Sequence, residues 1–202
     1  MEAGSPEALM TPATVGGRVP YIVLVVGRPA SGKSTISAAV AERFNLPLLS
    51  KDALKELLFD HLGSGDRARS IELGRTAFAL LDHLIHLQLQ SGAPFLVDAA
   101  YDAQIENEKF RAWQQEFGFI AVQVHCTAPI DELMRRFIVR AQDGTRHSGH
   151  ADHDSIDEYR RSLSDDRHET LDLDGPIVKY DFTVTTTADL LEELVAVMGT
   201  HP

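Results

Sequence analysis

The sequence predicts a three-layer α/β/α sandwich around a parallel sheet of about five strands, and three observations predict it. Short apolar runs that carry β-branched residues on both faces alternate with longer segments of helical period. Strands of that kind belong inside a parallel sheet whose two faces are covered by helices. The segments between them are long enough for right-handed crossovers. The third observation is bulk: 202 residues, 44% hydrophobic and 24% charged, suit one ordinary core.

Residues 1–18 are rich in Gly, Pro, Ala, Ser and Thr without period and read as a flexible leader. The single domain then spans 19–202. Tyr21–Val26 is a continuous β-branched run ending in glycine, which predicts a central strand. From Lys33 to Phe44, Ile36, Ala39, Val40 and Phe44 form one helical stripe. Leu46–Leu49 reads as a short strand, Ala53–Leu62 as a helix, and Arg67–Gln90 as a long amphipathic helix. Pro94–Asp98 is a third strand, followed by a helix over Gln104–Phe117 whose Phe110, Trp113 and Phe117 have core spacing. Phe119–Cys126 is a fourth strand and Ile130–Ala141 a further helix. A polar loop, Gln142–Asp154, leads to a helix over Ser155–Arg167. Phe182–Thr186 is read as the fifth strand and Ala188–Met198 as the closing helix.

The formal net charge is -11. That balance argues against long polyanions, because non-specific nucleic-acid binding needs an excess of Lys and Arg facing phosphates. Cys126 is the single cysteine and lies in an apolar run, so it reads as a buried strand residue without a disulfide partner. No apolar stretch approaches a membrane span, and the N-terminus lacks the basic and apolar regions of a signal peptide. The expected compartment is the cytoplasm. Composition leaves the oligomeric state undecided.

Gly27-Arg28-Pro29-Ala30-Ser31-Gly32-Lys33-Ser34 fits G-x-x-x-x-G-K-[ST] without a mismatch, directly after a predicted strand and before a helix. Glycines let the backbone curl so that its N–H groups, including those of Ala30, Ser31 and Gly32, converge on a phosphate. The positive end of the following helix dipole points at the same place. Lys33 is placed to reach the β- and γ-phosphates of ATP or GTP, and Ser34 to put its hydroxyl on Mg²⁺. Arg28 and Thr35 are further polar groups beside the phosphates, although either also suits solvent. A guanine-reading N-K-x-D is not found: Val178-Lys179-Tyr180-Asp181 lacks the Asn and precedes the predicted fifth strand.

The P-loop with Thr35, then Leu49-Ser50-Lys51-Asp52 before a Leu-rich helix, then Phe95-Leu96-Val97-Asp98-Ala99, resembles the P-loop kinase group called "AAA domain". That group includes polynucleotide 5′-kinases, chloramphenicol phosphotransferase and the zeta toxins. The likeness runs from about Tyr21 to Met198. It implies a nucleoside-monophosphate-kinase-like sheet with a lid over about residues 140–155, an ATP and Mg²⁺ donor complex, and a hydroxyl acceptor.

The resemblance places Asp52 on that acceptor hydroxyl, a role suited to phosphoryl transfer, where the nucleophile needs alignment. Asp52 also suits an N-cap of its helix, or a first-turn acid that complements the helix dipole. Asp98 ends a strand of the h-h-h-D form, where a carboxylate can support Mg²⁺ or contact the acceptor, or instead cap the next turn. Asp102 is a weaker candidate for the same place. In kinases of this shape lid arginines cover the transferring group, which singles out Arg140 and Arg146. His147 and His150 are substrate-side candidates by the same likeness. A metal site built from His147, His150 and His153 is disfavoured, because all three come from one loop. Thr185–Thr187 fall where related kinases pack adenine.

The resulting expectation is transfer of the γ-phosphoryl group of ATP to a small-molecule hydroxyl. A nucleic-acid 5′-end kinase and a slowly hydrolysing, toxin-like ATP-binding protein are the competing readings.

Overall fold

The computed structural model describes residues 20–143, 146–150, 152, 155–164 and 170–199. The leader over 1–18, Gly144, Thr145, His153, Asp154 and Arg167 lie outside the described residues. The elements run β1 (Tyr21–Gly27), α1 (Lys33–Phe44), β2 (Leu48–Ser50), α2 (Lys51–Leu62), α3 (Arg67–Ser91) and β3 (Phe95–Asp98). They continue with α4 (Ala103–Phe117), β4 (Ile120–Thr127), α5 (Ile130–Asp143), a 3₁₀ turn at Ser148–His150, α6 (Ile156–Ser162), β5 (Ile177–Asp181) and α7 (Thr187–Gly199).

The sheet has five strands in the order β2-β3-β1-β4-β5, every pair parallel. β1 lies at its centre because its side chains have apolar partners on both faces. Ile22, Leu24 and Val26 pack with Phe95, Val97 and Phe110 on one face. Val23 and Val25 pack with Ile36, Val40 and Val124 on the other. Each such fully buried side chain contributes about 1.5–3 kcal/mol relative to exposure, so β1 anchors both layers.

From β1 the chain builds outward to β3 on one side and β4 on the other, which makes the carboxyl end of β1 the topological switch point. Gly27 ends the strand there at φ 132°. A Cβ at that position would run into the Cys126 carbonyl oxygen, so only glycine lets β1 turn away beside β4.

Three elements depart most from the sequence reading, and the others shift by at most two residues at either end. The fifth strand is Ile177–Asp181, upstream of the expected Phe182–Thr186. Its burial alternates, as suits an edge strand with one face on the core. The Asp181 carboxylate accepts hydrogen bonds from the Thr183 amide and hydroxyl at 2.8 and 2.6 Å, folding the expected strand into a turn. Consequently Val178-Lys179-Tyr180-Asp181 lies inside β5. β2 starts at Leu48 because Pro47 precedes it, donating no N–H and accepting from the Leu96 amide at 2.9 Å. α6 covers Ile156–Ser162, shorter than the expected Ser155–Arg167. Among the described residues no helix is long and apolar enough to cross a membrane.

Candidate active site

The P-loop joins β1 to α1 over residues whose backbone is forced into uncommon conformations. Ala30 (φ 66°) and Gly32 (φ 89°) both adopt left-handed geometry. A non-glycine residue held there costs roughly 1 kcal/mol and typically marks a functional turn. α1 has no side-chain cap and no acid in its first turn, so its first amides and the positive end of its dipole stay available. Inside the loop the Ser31 hydroxyl is buried with no hydrogen-bond partner among the described residues. An orphaned hydroxyl, uncapped amides and a glycine cradle fit an anionic phosphate.

Lys33 is 8% exposed, and its ammonium donates to the Arg28 carbonyl oxygen at 2.8 Å. Burial pushes its pKa down, while the Asp98 carboxylate opposes that shift. Asp98 pairs with Val25 on one side and Ser50 on the other, which sets its carboxylate beside the P-loop at the sheet edge. Burial raises its pKa, and Lys33 and a hydrogen bond with Ser34 pull it the other way. Asp98 does not cap the following helix; Asp102 does, accepting from the Gln104 amide at 3.0 Å.

Asp52 likewise is not an N-cap. Ser50 takes that position on α2, and Asp52 stands in the first turn. Its carboxylate bonds Lys51 at 3.1 Å and pairs with Arg146. Burial opposes ionisation, but Lys51 and Arg146 outweigh it and hold the carboxyl well below the carboxylate range. Arg146 also forks onto Asp152 at 2.8 and 2.9 Å, and Arg140 lies 3.2 Å from the same acid. Burial lowers the pKa of Arg140, with Arg146 acting in the same direction.

Lys33, Ser34, Thr35, Asp52, Asp98, Arg140, Arg146, His147 and His150 all line one cavity of about 1100 Å³. Arg28 is placed differently: its guanidinium donates to the Ser162 carbonyl oxygen at 2.7 Å, on the α6 side of the loop. α6 is tied to the P-loop a second time, because the Tyr159 hydroxyl donates to the Pro29 carbonyl oxygen at 2.6 Å. Arg136 stacks over Phe182, 4.1 Å from the ring centroid and beside Gly32. Arg136 stands four residues before Arg140 on the same helix, and packing against Phe182, 46 positions away in the chain, sets its place.

His147 and His150 pin the segment after α5 onto α2. His147 Nε2 lies 3.1 Å from Asp60 Oδ1 and its ring stacks on Phe59. His150 Nε2 lies 2.9 Å from Glu56 Oε1, and Gly149 sits so close to the Phe59 ring that a side chain would displace it. No cluster of potential metal ligands occurs among the described residues.

Burial and the Arg146 charge push the His150 pKa down to about 4. Because the folded value lies below the unfolded one, the unfolded chain binds the extra proton between about pH 6.5 and 4. Stability contributed by neutral His150 is therefore present above that window and lost as pH falls through it. The slope from one such group is at most about 1.4 kcal/mol per pH unit. Urea midpoints at pH 7 and pH 5 are expected to differ less for His150→Gln than for the unaltered chain. An equal loss in both would mean that His150 does not titrate this way.

A glycine cradle at the switch point, a buried lysine and a strand-end acid beside it define a P-loop fold of the kinase kind. A family model described as "AAA domain" matches residues 22–165, and the chain belongs to this P-loop kinase-like family. Among solved structures, a provisionally named kinase from Chloroflexus aurantiacus J-10-fl is 31% identical, covering 89% of this chain and 99% of that one, with a TM-score of 0.76. A gluconokinase from Sinorhizobium meliloti 1021 is 19% identical over 91% of this chain and 94% of that one, with a TM-score of 0.51. The Mycobacterium tuberculosis APS kinase, solved with AMPPNP and APS, is 16% identical over 90% and 99%, with a TM-score of 0.53. The last two show a shared fold. No curated protein matches the chain significantly.

Proposed function

We propose that the chain is an ATP-dependent phosphotransferase that moves the γ-phosphoryl group of ATP to a hydroxyl of a small molecule. The observation that carries this reading is one cavity shared by two sets of groups. Lys33, Ser34 and Asp98 stand on the P-loop side, and Asp52, Arg146, His147 and His150 face them. A hydrolase needs only the first set. The second gives an acceptor somewhere to bind.

In this reading the loop amides of Ala30, Ser31 and Gly32 hold the donor phosphates, and Lys33 neutralises charge on the β- and γ-groups. Ser34 and Asp98 supply oxygen ligands that suit Mg²⁺, and both line the same cavity. Bound there, Mg²⁺ would draw off charge that builds between the phosphates. Asp52 accepts a hydrogen bond from the acceptor hydroxyl and turns its lone pair toward the phosphorus. Its depressed pKa makes it an aligning group rather than a proton store, which is enough for a loose transition state. Arg140 and Arg146 add positive charge where negative charge spreads in transfer. Arg136 and Phe182 form the platform nearest the P-loop on the far side of Gly32, and suit the base. The reading goes with a cytoplasmic location, where ATP is abundant.

The test is transfer from γ-labelled ATP with Mg²⁺ into a panel of hydroxyl-bearing metabolites and antibiotics, run beside an oligonucleotide 5′-end. Label is expected in one small-molecule class and not on the oligonucleotide. Label on the oligonucleotide alone, or ATP consumption that no acceptor accelerates, overturns the reading.

A further inference from the structure

Eight of the chain's 19 Lys and Arg residues line the cavity of about 1100 Å³, against seven of its 30 acids. An acidic protein has gathered cations here. Most of them have local work. Arg67 bonds Glu158 at 2.7 Å, Arg135 bonds Glu132, Arg140 and Arg146 share Asp152, and Lys51 lies on Asp52. Lys33 donates to the Arg28 carbonyl oxygen, and Arg136 stacks over Phe182.

Lys55 is different. It sits one turn after Asp52 on α2, is 5% exposed, and lines the cavity. Among the described residues no carboxylate lies within ion-pair distance of it. Its ammonium donates to the Ser70 hydroxyl at 2.9 Å, and that hydroxyl in turn donates to the His150 carbonyl oxygen at 3.2 Å. The Phe59 ring centroid is 5.2 Å from the same nitrogen. An ammonium has three protons to give. One is used, and the hydrogen bonds among the described residues assign no acceptor to the other two.

The placement of Lys55 is built by three separate elements. α2 carries the residue, α3 contributes Ser70, and the turn at Ser148–His150 accepts from Ser70. Burial pushes the Lys55 pKa down to about 8, with the Lys51 ammonium acting in the same direction. Asp52, one turn earlier, offsets part of this charge, yet a buried cation with no carboxylate in ion-pair contact is still costly, and a fold that keeps one at a cavity wall gains from it when an anion enters.

We infer that the acceptor carries an oxyanion, a carboxylate or a phosphate ester, in addition to the hydroxyl that is phosphorylated, and that Lys55 receives that group. The inference names the substrate class of the site proposed above and rests on that reading for the hydroxyl. Asp52 then faces the hydroxyl from one turn earlier on the same helix. The oxyanion fixes one end of the acceptor, and the reacting oxygen is presented to the P-loop side. Neutral polyols lack the anchor. Long polyanions remain disfavoured, since Lys55 is enclosed.

The experiment compares three acceptors that differ in one group, glycerol, glycerate and glycerol 3-phosphate, with Mg·ATP as donor. Transfer is expected at a kcat/KM at least tenfold higher for an anionic member than for glycerol. The glycerate and glycerol 3-phosphate arms separate a carboxylate from a phosphate ester. In Lys55→Met, which keeps the alkyl stem, the acceptor KM is expected to rise at least tenfold while the ATP KM moves little. Thermal unfolding of the variant is expected at or above the original temperature, because a buried charge with no ion-pair partner has been removed. Equal use of glycerol, or an acceptor KM that Lys55→Met leaves in place, overturns the inference.

Should none of the three accept label, the anion site is decided by equilibrium dialysis of labelled inorganic phosphate and labelled glycolate. The protein is first saturated with Mg·AMP-PNP, so that the P-loop amides are occupied. Uptake that Lys55→Met abolishes supports the oxyanion site even where transfer fails and the kinase reading with it. No uptake of either anion, or uptake that the substitution leaves unchanged, overturns it.

Discussion

Replacing Lys33 by methionine is expected to lower phosphoryl transfer on the order of 10²–10³-fold, about 3–4 kcal/mol of transition-state stabilisation, and to remove measurable uptake of Mg·ATP. Methionine fills the space of the lysine stem, which is 8% exposed, so the change isolates the ammonium. That ammonium is desolvated by burial and faces Asp98, and charge in such a place acts with little screening. A second readout follows from the partner. Burial already raises the Asp98 pKa, and Lys33 is the first group that opposes it. Without Lys33 the folded value moves further above the unfolded one, so the folded state binds the extra proton. The variant should then be least stable near neutral pH and recover as pH falls into the carboxylate range. Titration calorimetry with Mg·ATP checks the first effect and melting temperature against pH the second. Unchanged nucleotide uptake in Lys33→Met would sink the P-loop assignment and everything built on it.

The phosphate-binding half of the site was legible because it is local. A β-branched strand, a glycine at the turn and Gly-Lys-Ser at a helix start are consecutive in sequence, and each dictates its own backbone. The fifth strand was not legible in the same way. Phe182–Thr186 is richer in β-branched residues than Ile177–Asp181, and only the register of β4, Gln123 opposite Ile177 and Thr127 opposite Asp181, chooses between them. Once Asp181 bonds Thr183, the richer run is turned out of the sheet.

Asp52 and Asp98 were each readable as a cap or as a functional acid, and sequence left both open. The structure gives the caps to Ser50 and Asp102, leaves Asp52 as the acid in the first turn of α2 and sets Asp98 at the end of β3. Lys55 carried no signal at all, because its meaning depends on Ser70 and on the His150 carbonyl, 15 and 80 positions removed in successive links of the chain of bonds. A lysine within an amphipathic helix reads as solvated until its neighbours from other elements are in place.

Asp52→Asn is expected to reduce acceptor turnover by about 10²–10⁴-fold, the range for a positioned group that orients or receives a proton. Asparagine keeps the shape and one acceptor oxygen, so the acceptor still binds, and the loss should fall on kcat more than on the acceptor KM. Two routes lead to such a loss, and they can be told apart. If Asp52 only holds Arg146 in place, then Arg146→Met alone should cost as much as Asp52→Asn, and the double variant no more than either. If Asp52 itself aligns the hydroxyl, it costs more than Arg146→Met, and some of the cost persists when Arg146 is already gone. Acid stability gives an independent check. Asp52 is held ionised by Lys51 and Arg146, so its share of stability is present above the ordinary carboxylate range and is lost as pH falls below it. Asp52→Asn removes that share at neutral pH and flattens the acid limb of the curve. A variant that transfers label at the original rate would show that the carboxylate facing the P-loop is structural, and the aligning group would then have to be sought at Asp98.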